Sequence, residues 1–303
     1  FQPAQTFHQA LQSIWFTHIA IGISEFCTAS ISLGRFDQYL YPFYKRDIEN
    51  GVSEESLEQS LTDFFLKLNT YGDPACAVNL GGVDENGNDL CNPLTYLILK
   101  VAKKLRKPSP ILAVHVHSGL EDKAIQEVVD PDLFTIGQPS FYGEFSCRET
   151  LAKRGVPKED LHKWTVNSCM GLMMPGEEIS DMWGSVVNML LPLELAINSG
   201  SPLHKNLPIS IKTQVPDDYQ SFDQFVNVLS SLTEEILDFN ISQNRSSTKY
   251  IIEERPNPYL SALTSDCISR DLDRTNGGAK YHTVIVEAFA LINVSDALLA
   301  IKK

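Results

Sequence analysis

Three consecutive runs decide the fold class: Ala75-Cys-Ala-Val-Asn-Leu80, then Pro93-Leu-Thr-Tyr-Leu-Ile-Leu-Lys-Val-Ala-Lys-Lys-Leu-Arg106, then Ile111-Leu-Ala-Val-His-Val-His117. The first and last are short apolar runs of the kind that form buried strands. The middle run is long enough for a helix and ends in a basic turn, Lys103, Lys104 and Arg106, which suits the negative end of the helix dipole. A turn, Asp84-Glu-Asn-Gly-Asn-Asp89, separates the first strand from the helix. Short strands alternating with helices argue for an α/β layer or barrel.

Working outward, residues 6–21 are predicted to be helical. Thr6 and Gln9 have capping-box spacing, and Phe7, Leu11, Ile14 and Trp15 keep to one face. An aromatic-rich helix is expected over 36–49, stopped by Gly51, and another starts at Ser53 with Glu54 and Glu55 in its first turn. Its stripe Leu57, Leu61, Phe64, Phe65, Leu68 is the cleanest helical period in the chain.

Beyond the third run the pattern predicts helices at 121–129 and 146–154, a strand at 133–136, a Gly-containing loop at 137–143, and a strand from Trp164 into Cys169. A long helix kinked at Pro192 and ended by Gly200 is expected over 183–199. Further helices follow at 221–243 and 258–270, then a strand from His282 to Ala288 and a terminal helix. No repeat or linker divides the chain, so residues 1–303 are expected to form one domain. Starting at Phe1 and stopping inside a helical pattern at Lys303, that domain is expected to be incomplete at both ends.

The 303 residues are 43% hydrophobic and 21% charged, enough to bury a sizeable core. With 25 Lys and Arg against 38 Asp and Glu, the net charge is −13. An acidic chain with no basic run argues against nucleic acid and anionic membranes as partners. No apolar stretch reaches the roughly 20 residues that span a bilayer, and no secretory signal is visible. Six cysteines without a C-x-x-C pair suit reduced thiols in a cytoplasmic enzyme.

Few motifs carry chemistry. His115 and His117 alternate on one strand, but no third ligand is spaced to join them, and no metal is expected. Asp84, Asn86 and Asn88 begin like a calcium loop, yet Asp89 and Thr95 occupy the positions that need Gly and Glu. No phosphate-binding loop, dinucleotide fingerprint or nucleophile elbow is present. Cys169 is the thiol of interest: it follows a short strand and precedes Met170-Gly-Leu-Met-Met-Pro-Gly176. Functional groups favour such loops. No neighbouring base is present to make it a thiolate nucleophile, whereas an apolar, water-poor site suits an uncharged thiyl radical. A cysteine buried for packing is the alternative.

Ser30-Ile-Ser-Leu-Gly-Arg-Phe-Asp-Gln-Tyr-Leu-Tyr-Pro-Phe-Tyr-Lys-Arg-Asp47 resembles the glycyl radical enzymes, the superfamily of pyruvate formate-lyase and the glycerol and choline lyases. So do Asn79-Leu-Gly-Gly-Val-Asp84 with Asn92-Pro-Leu-Thr-Tyr-Leu97, Gly137-Gln-Pro-Ser-Phe-Tyr142, the loop at Cys169, Arg255-Pro-Asn-Pro-Tyr-Leu-Ser-Ala-Leu263, Gly277-Gly-Ala-Lys-Tyr281, and the run from Asp296 to Lys303. They occur in the family's order over nearly the whole chain.

The resemblance implies a central part of a ten-stranded α/β barrel, with helices outside and the catalytic cysteine loop inside. It implies that Cys169 carries a thiyl radical and abstracts hydrogen from a small substrate. The radical would reside on a glycine in a segment after Lys303 and would be installed by a separate radical S-adenosylmethionine activase, with no cofactor bound by this chain. A homodimer working anaerobically is the family expectation. Ser30, Phe141, Tyr142, Met170 and Gly171 are the implied pocket residues.

Two departures bear on the reaction. The family's eliminases carry a Glu two residues past the cysteine as acid and base, a role that needs a titratable group; here that position is Gly171. Diol and choline lyases tend to have a His where Ala29 stands. Pyruvate formate-lyase uses two adjacent cysteines, and Ser168 replaces the first, so the thiol needed for acetyl transfer to coenzyme A is missing. Met170, Leu172, Met173 and Met174 suggest an apolar collar for an apolar substrate, or else barrel packing. These features place C–C bond chemistry first. Elimination with a relocated acid, Glu177 or Glu178, comes second, those residues being otherwise first-turn helix acids. A non-catalytic remnant is the third reading.

Overall fold

The structure is a computed structural model describing residues 2–25, 30–73, 75–203 and 219–303, without the side chains of 180–185. The chain divides into two compact units. The larger holds residues up to Glu178 together with Asn257–Arg274 and Gly278–Tyr281.

The larger unit begins with α1 (Phe7–Ser24), capped by Thr6, whose side chain accepts the Gln9 N–H. Next come α2 (Phe36–Tyr39) and α3 (Tyr41–Glu49). The single helix expected over 36–49 is broken at Leu40, because Pro42 has no N–H to continue the ladder. In α4 (Glu54–Tyr71), Ser53 caps the start and left-handed Gly72 the end, and the expected stripe Leu57, Leu61, Phe64, Phe65, Leu68 is fully buried. It packs on α1 and on α5 (Pro93–Leu105), closing the core of this unit.

The strands β1 (Ala77–Gly81), β2 (Ile111–Val116) and β3 (Ser140–Gly143) form a parallel sheet in that order. Ala77 pairs with Ile111 and Ala113 with Ser140. Every residue of β1 is buried, as expected for a parallel strand covered on both faces. Between β2 and β3 lie α6 (Asp122–Val128) and α7 (Pro131–Phe134). The strand expected at 133–136 is therefore wrong: Asp130 caps Asp132 N–H and Pro131 starts a helical turn. The 137–143 segment, expected as loop, supplies β3. After β3, α8 (Glu144–Lys153) leads to the antiparallel hairpin of β4 (Thr165–Asn167) and β5 (Gly171–Met173).

In the second unit, β6 (Glu178–Asn188) runs into α9 (Leu190–Ile197). The expected helix over 183–199 is thus strand up to Asn188 and helix from Leu190; the β-branched pair Val186 and Val187 favours the strand, and the short apolar stretch 189–193 has no period to set the boundary. Pro192 is the third residue of α9, where no intrahelical N–H is required, so it makes no kink. The helix capped by Ser221, α10 (Phe222–Glu254), is longer than expected. The helix predicted over 258–270 is two short ones in the larger unit, α11 (Pro258–Ala262) and α12 (Cys267–Arg270). The strand β7 (Tyr281–Phe289) pairs with β6, and α13 (Leu291–Lys302) ends the chain. Leu193 and Leu195 of α9, Phe225 and Leu229 of α10 and Val294 of α13 form this unit's core.

The strands among the described residues form sheets of three, two and two.

Candidate active site

Cys169 lies at the tip of the β4–β5 hairpin. Asn167 and Gly171 form its last pair, leaving Ser168, Cys169 and Met170 as a three-residue loop. Three-residue hairpin loops need a left-handed residue, and here Ser168 supplies it, with φ +56°. Ser168 is buried, while Cys169 and Met170 are exposed.

Two elements hold this tip, the segment carrying Ser30 and Ser32 and the strand β3. The Ser168 N–H donates to Ser32 Oγ at 2.8 Å, and the Tyr142 hydroxyl of β3 donates to the Cys169 carbonyl. The Ser30 hydroxyl donates to Ser168 Oγ at 3.4 Å, and that hydroxyl points at Cys169 Sγ, 3.8 Å away. The segment carrying Ser30 and Ser32 is itself fixed: the buried Asp73 carboxylate accepts the N–H groups of Ser30 and Ile31 at 2.8 and 2.9 Å.

Beneath the tip is a buried polar layer. Asn79 of β1 makes two bonds to the backbone of Val166 in β4, donating to its carbonyl at 2.9 Å and accepting its N–H at 2.7 Å. His115 of β2 is wedged between Asn79 and Glu144 and stacks on Trp164. Glu144 also accepts from Trp164 Nε1 and Arg148 Nε, both at 2.9 Å. Burial alone would raise its pKa, but the bonds from His115 and Trp164 and the nearby charges hold it down at about 2. Burial raises Asp37 to about 6, against bonds from Thr95 and the Gly81 N–H.

Of the residues expected from sequence, Ser30, Tyr142 and Cys169 come together, with Met170 and Gly171 in or beside the loop. Phe141 does not join them. Adjacent residues of a strand face opposite ways, and its ring meets Phe134 edge-on at 6.4 Å instead. The apolar collar does not form: Met170 is 54% exposed, whereas Met174 is buried against Trp164 and Val166. Among the described residues Cys169 is exposed, so they do not form the water-poor surroundings expected for the thiol. A cavity of about 650 Å³ in the same unit is lined by Ile14, His18, Ile31, Ser32, Arg35 and Lys163, among others, without Cys169.

Neither relocated acid is free. Glu178 is buried, with Oε1 2.7 Å from the Arg154 guanidinium and Oε2 accepting the Met174 N–H at 2.7 Å. Glu177 places one oxygen 3.3 Å from Lys163 Nζ and the other 3.3 Å from Lys280 Nζ. It is not a helix first turn but a turn into β6 that carries both. Ala29 lies outside the described residues. His115 and His117 are apart in role: His117 pairs with Asp89 at 3.2 Å. No group of three metal-ligating side chains occurs among the described residues.

The family model for pyruvate formate lyase-like proteins matches residues 1–303. The chain belongs to this family, the glycyl radical enzymes. The trans-4-hydroxy-L-proline dehydratase of Clostridioides difficile is 28% identical over 98% of this chain and 40% of its own length. The glycerol-bound structure of the B12-independent glycerol dehydratase from Clostridium butyricum superposes with a TM-score of 0.90 at 27% identity, over 99% of this chain and 39% of that one. A glycyl radical enzyme from Archaeoglobus fulgidus gives 0.90 at 26% identity, over 99% and 40%. The chain thus spans about two fifths of the length of these relatives. The fold is mixed α/β, like theirs.

Sequence reasoning missed Asn79, Glu144 and Trp164 as supports of the loop. Asn79 sits in the Asn-Leu-Gly-Gly run, but its partner Val166 is 87 residues away, and nothing local signals the pairing.

Proposed function

We propose that Cys169 is the hydrogen-abstracting thiol of a glycyl radical enzyme, and that the reaction is a radical elimination from a small hydroxylated molecule. Residues 1–303 would be the central part of a barrel domain, completed by segments that exclude water from the thiol. The single observation carrying this is the placement of Cys169: its sulfur is presented at the apex of a hairpin whose backbone is tied down on three sides.

Elimination takes precedence over the C–C chemistry expected first, because the relatives above with stated reactions are dehydratases. Acetyl transfer finds no support in them. In an elimination the thiyl sulfur takes a hydrogen atom from the substrate carbon beside the leaving group. The neighbouring hydroxyl leaves with a proton as water, and the product radical takes the hydrogen atom back from the thiol. The proton needs a carrier, and Gly171, Glu177 and Glu178 cannot provide one. That proton comes from the hydroxyl or amine retained on the radical carbon, and the hydroxyls of Ser30 and Ser168, in line toward the sulfur, are placed to pass it to the leaving group, each giving one proton as it takes another. C–C bond chemistry is the second reading, favoured by the missing carboxylate at Gly171, since radical addition needs no such proton.

The radical glycine and a radical S-adenosylmethionine activase would be supplied from outside these residues, in a cytoplasmic, anaerobic homodimer. The test is product analysis with activated full-length protein, offered trans-4-hydroxy-L-proline, glycerol and 1,2-propanediol. Loss of water from one of them is the expected result. A radical that forms but leaves all three intact, while adding substrate to a second carbon skeleton, would establish the C–C reading. A full-length protein that accepts no radical would establish the non-catalytic one.

A further inference from the structure

His115 lies in the middle strand of the three-stranded sheet with no exposure to solvent. Its ring is stacked on Trp164, centroids 3.9 Å apart and planes 23° apart. Nδ1 is 3.2 Å from Glu144 Oε1, and Nε2 is 2.9 Å from Asn79 Oδ1. The chemical identity of both neighbours is fixed by their other bonds. Asn79 uses its NH2 for the Val166 carbonyl and its oxygen for the Val166 N–H. Turning the amide over would break both bonds, so the atom facing Nε2 is an acceptor with no proton to give. Glu144 is surrounded by donors: Trp164 and Arg148 on Oε2, and the Val83 N–H on Oε1 at 3.3 Å.

A neutral imidazole has one N–H and one lone pair. In this position its lone pair would face an oxygen in a buried site, where an unmatched polar contact is costly. We infer that His115 is held as an imidazolium with both ring N–H groups donating, and that it is a positioning residue for β4 and so for the Cys169 hairpin. The charge state stands on the geometry alone; the role at the thiol rests on the function proposed above.

The groups facing the ring divide. Burial acts most strongly and pulls the His115 pKa down; Glu144 of α8 favours the cation, while Arg35, bonded to the Gly81 and His162 carbonyls, and Arg148 of α8 oppose it. The Trp164 face adds attraction for a stacked cation. A buried cation kept against such opposition is costly to break, because removing its partner strands a charge.

The test is nitrogen NMR of the protein labelled with 15N-histidine, the His115 signals being assigned by their loss in His115→Gln. Both ring nitrogens are expected in the protonated range, each with its own hydrogen, at pH 7 and pH 8. One unprotonated ring nitrogen at pH 7 would overturn the charge assignment. For the positioning role, amide exchange at Thr165–Gly171 is expected to rise by roughly tenfold or more in His115→Gln, while the α4 amides stay unchanged. A folded His115→Gln protein with native exchange over 165–171 would overturn that role. Should that variant not fold, Asn79→Asp, which keeps an acceptor for His115 but loses the bond to the Val166 carbonyl, is expected to give the same local rise. Native exchange in Asn79→Asp would equally overturn it.

Discussion

Ser168 Oγ lies 3.8 Å from Cys169 Sγ, on a residue whose backbone is left-handed at φ +56°. A non-glycine residue in that region carries strain of order 1 kcal/mol, and glycine would adopt it freely. Ser168→Gly relieves that strain but also removes the hydroxyl, so its stability in urea unfolding is expected to stay near the parent's, while turnover of the activated enzyme falls. Ser168→Ala keeps the strain and removes the hydroxyl. It is expected to lower both, with a stability loss of about 1 kcal/mol. Equal effects of the two variants on stability would show that the backbone strain is unimportant.

Glu144 ties the polar layer under the hairpin to pH. Its folded pKa of about 2 is below its ordinary 4.5. The stabilisation is thus fully present above about pH 4.5 and is lost as pH falls from there toward 2. The pKa difference sets a ceiling of about 3 kcal/mol on this contribution. Glu144→Gln is expected to be less stable than the parent at pH 7, with the gap narrowing on acidification to pH 3. Urea midpoints across that range check the sign; a gap that widens toward low pH would contradict it.

The helical core is expected to respond as a close-packed interior. Leu61 is fully buried among the residues of α4, α1 and α5. Leu61→Ala is expected to cost about 2–5 kcal/mol, the transfer free energy of the lost methyl groups plus the cavity left behind. Leu66, 39% exposed on the same helix, is expected to cost under about 1 kcal/mol on the same change. Urea unfolding of the two variants compares them directly.

How much of this was legible in the sequence depended on how local the signal was. The stripe from Leu57 to Leu68 repeats every three or four residues, and α4 forms as read. The runs at 75–80 and 111–117 give β1 and β2 with ends shifted by a residue or two. Residues 183–199 were read as one helix because Val186 and Val187 lie close before the apolar residues 189–193, and only pairing with β7 shows that the stretch up to Asn188 is a strand. Cys169, Ser30 and Tyr142, which the structure brings together, were picked out through a resemblance and not through any local pattern. Phe141, read together with Tyr142, lies on the opposite side of β3, because neighbours in a strand face opposite ways. The bonds of Asn79 to Val166 and of His115 to Glu144 join elements distant along the chain, so sequence pattern could not reveal them.

The most direct test of Cys169 as the hydrogen-abstracting thiol is electron paramagnetic resonance combined with a turnover assay, on activated full-length protein carrying Cys169→Ala. The expected result is a glycyl radical signal of parental intensity with no product formed. Product formation by the Cys169→Ala protein at the parental rate would contradict the account.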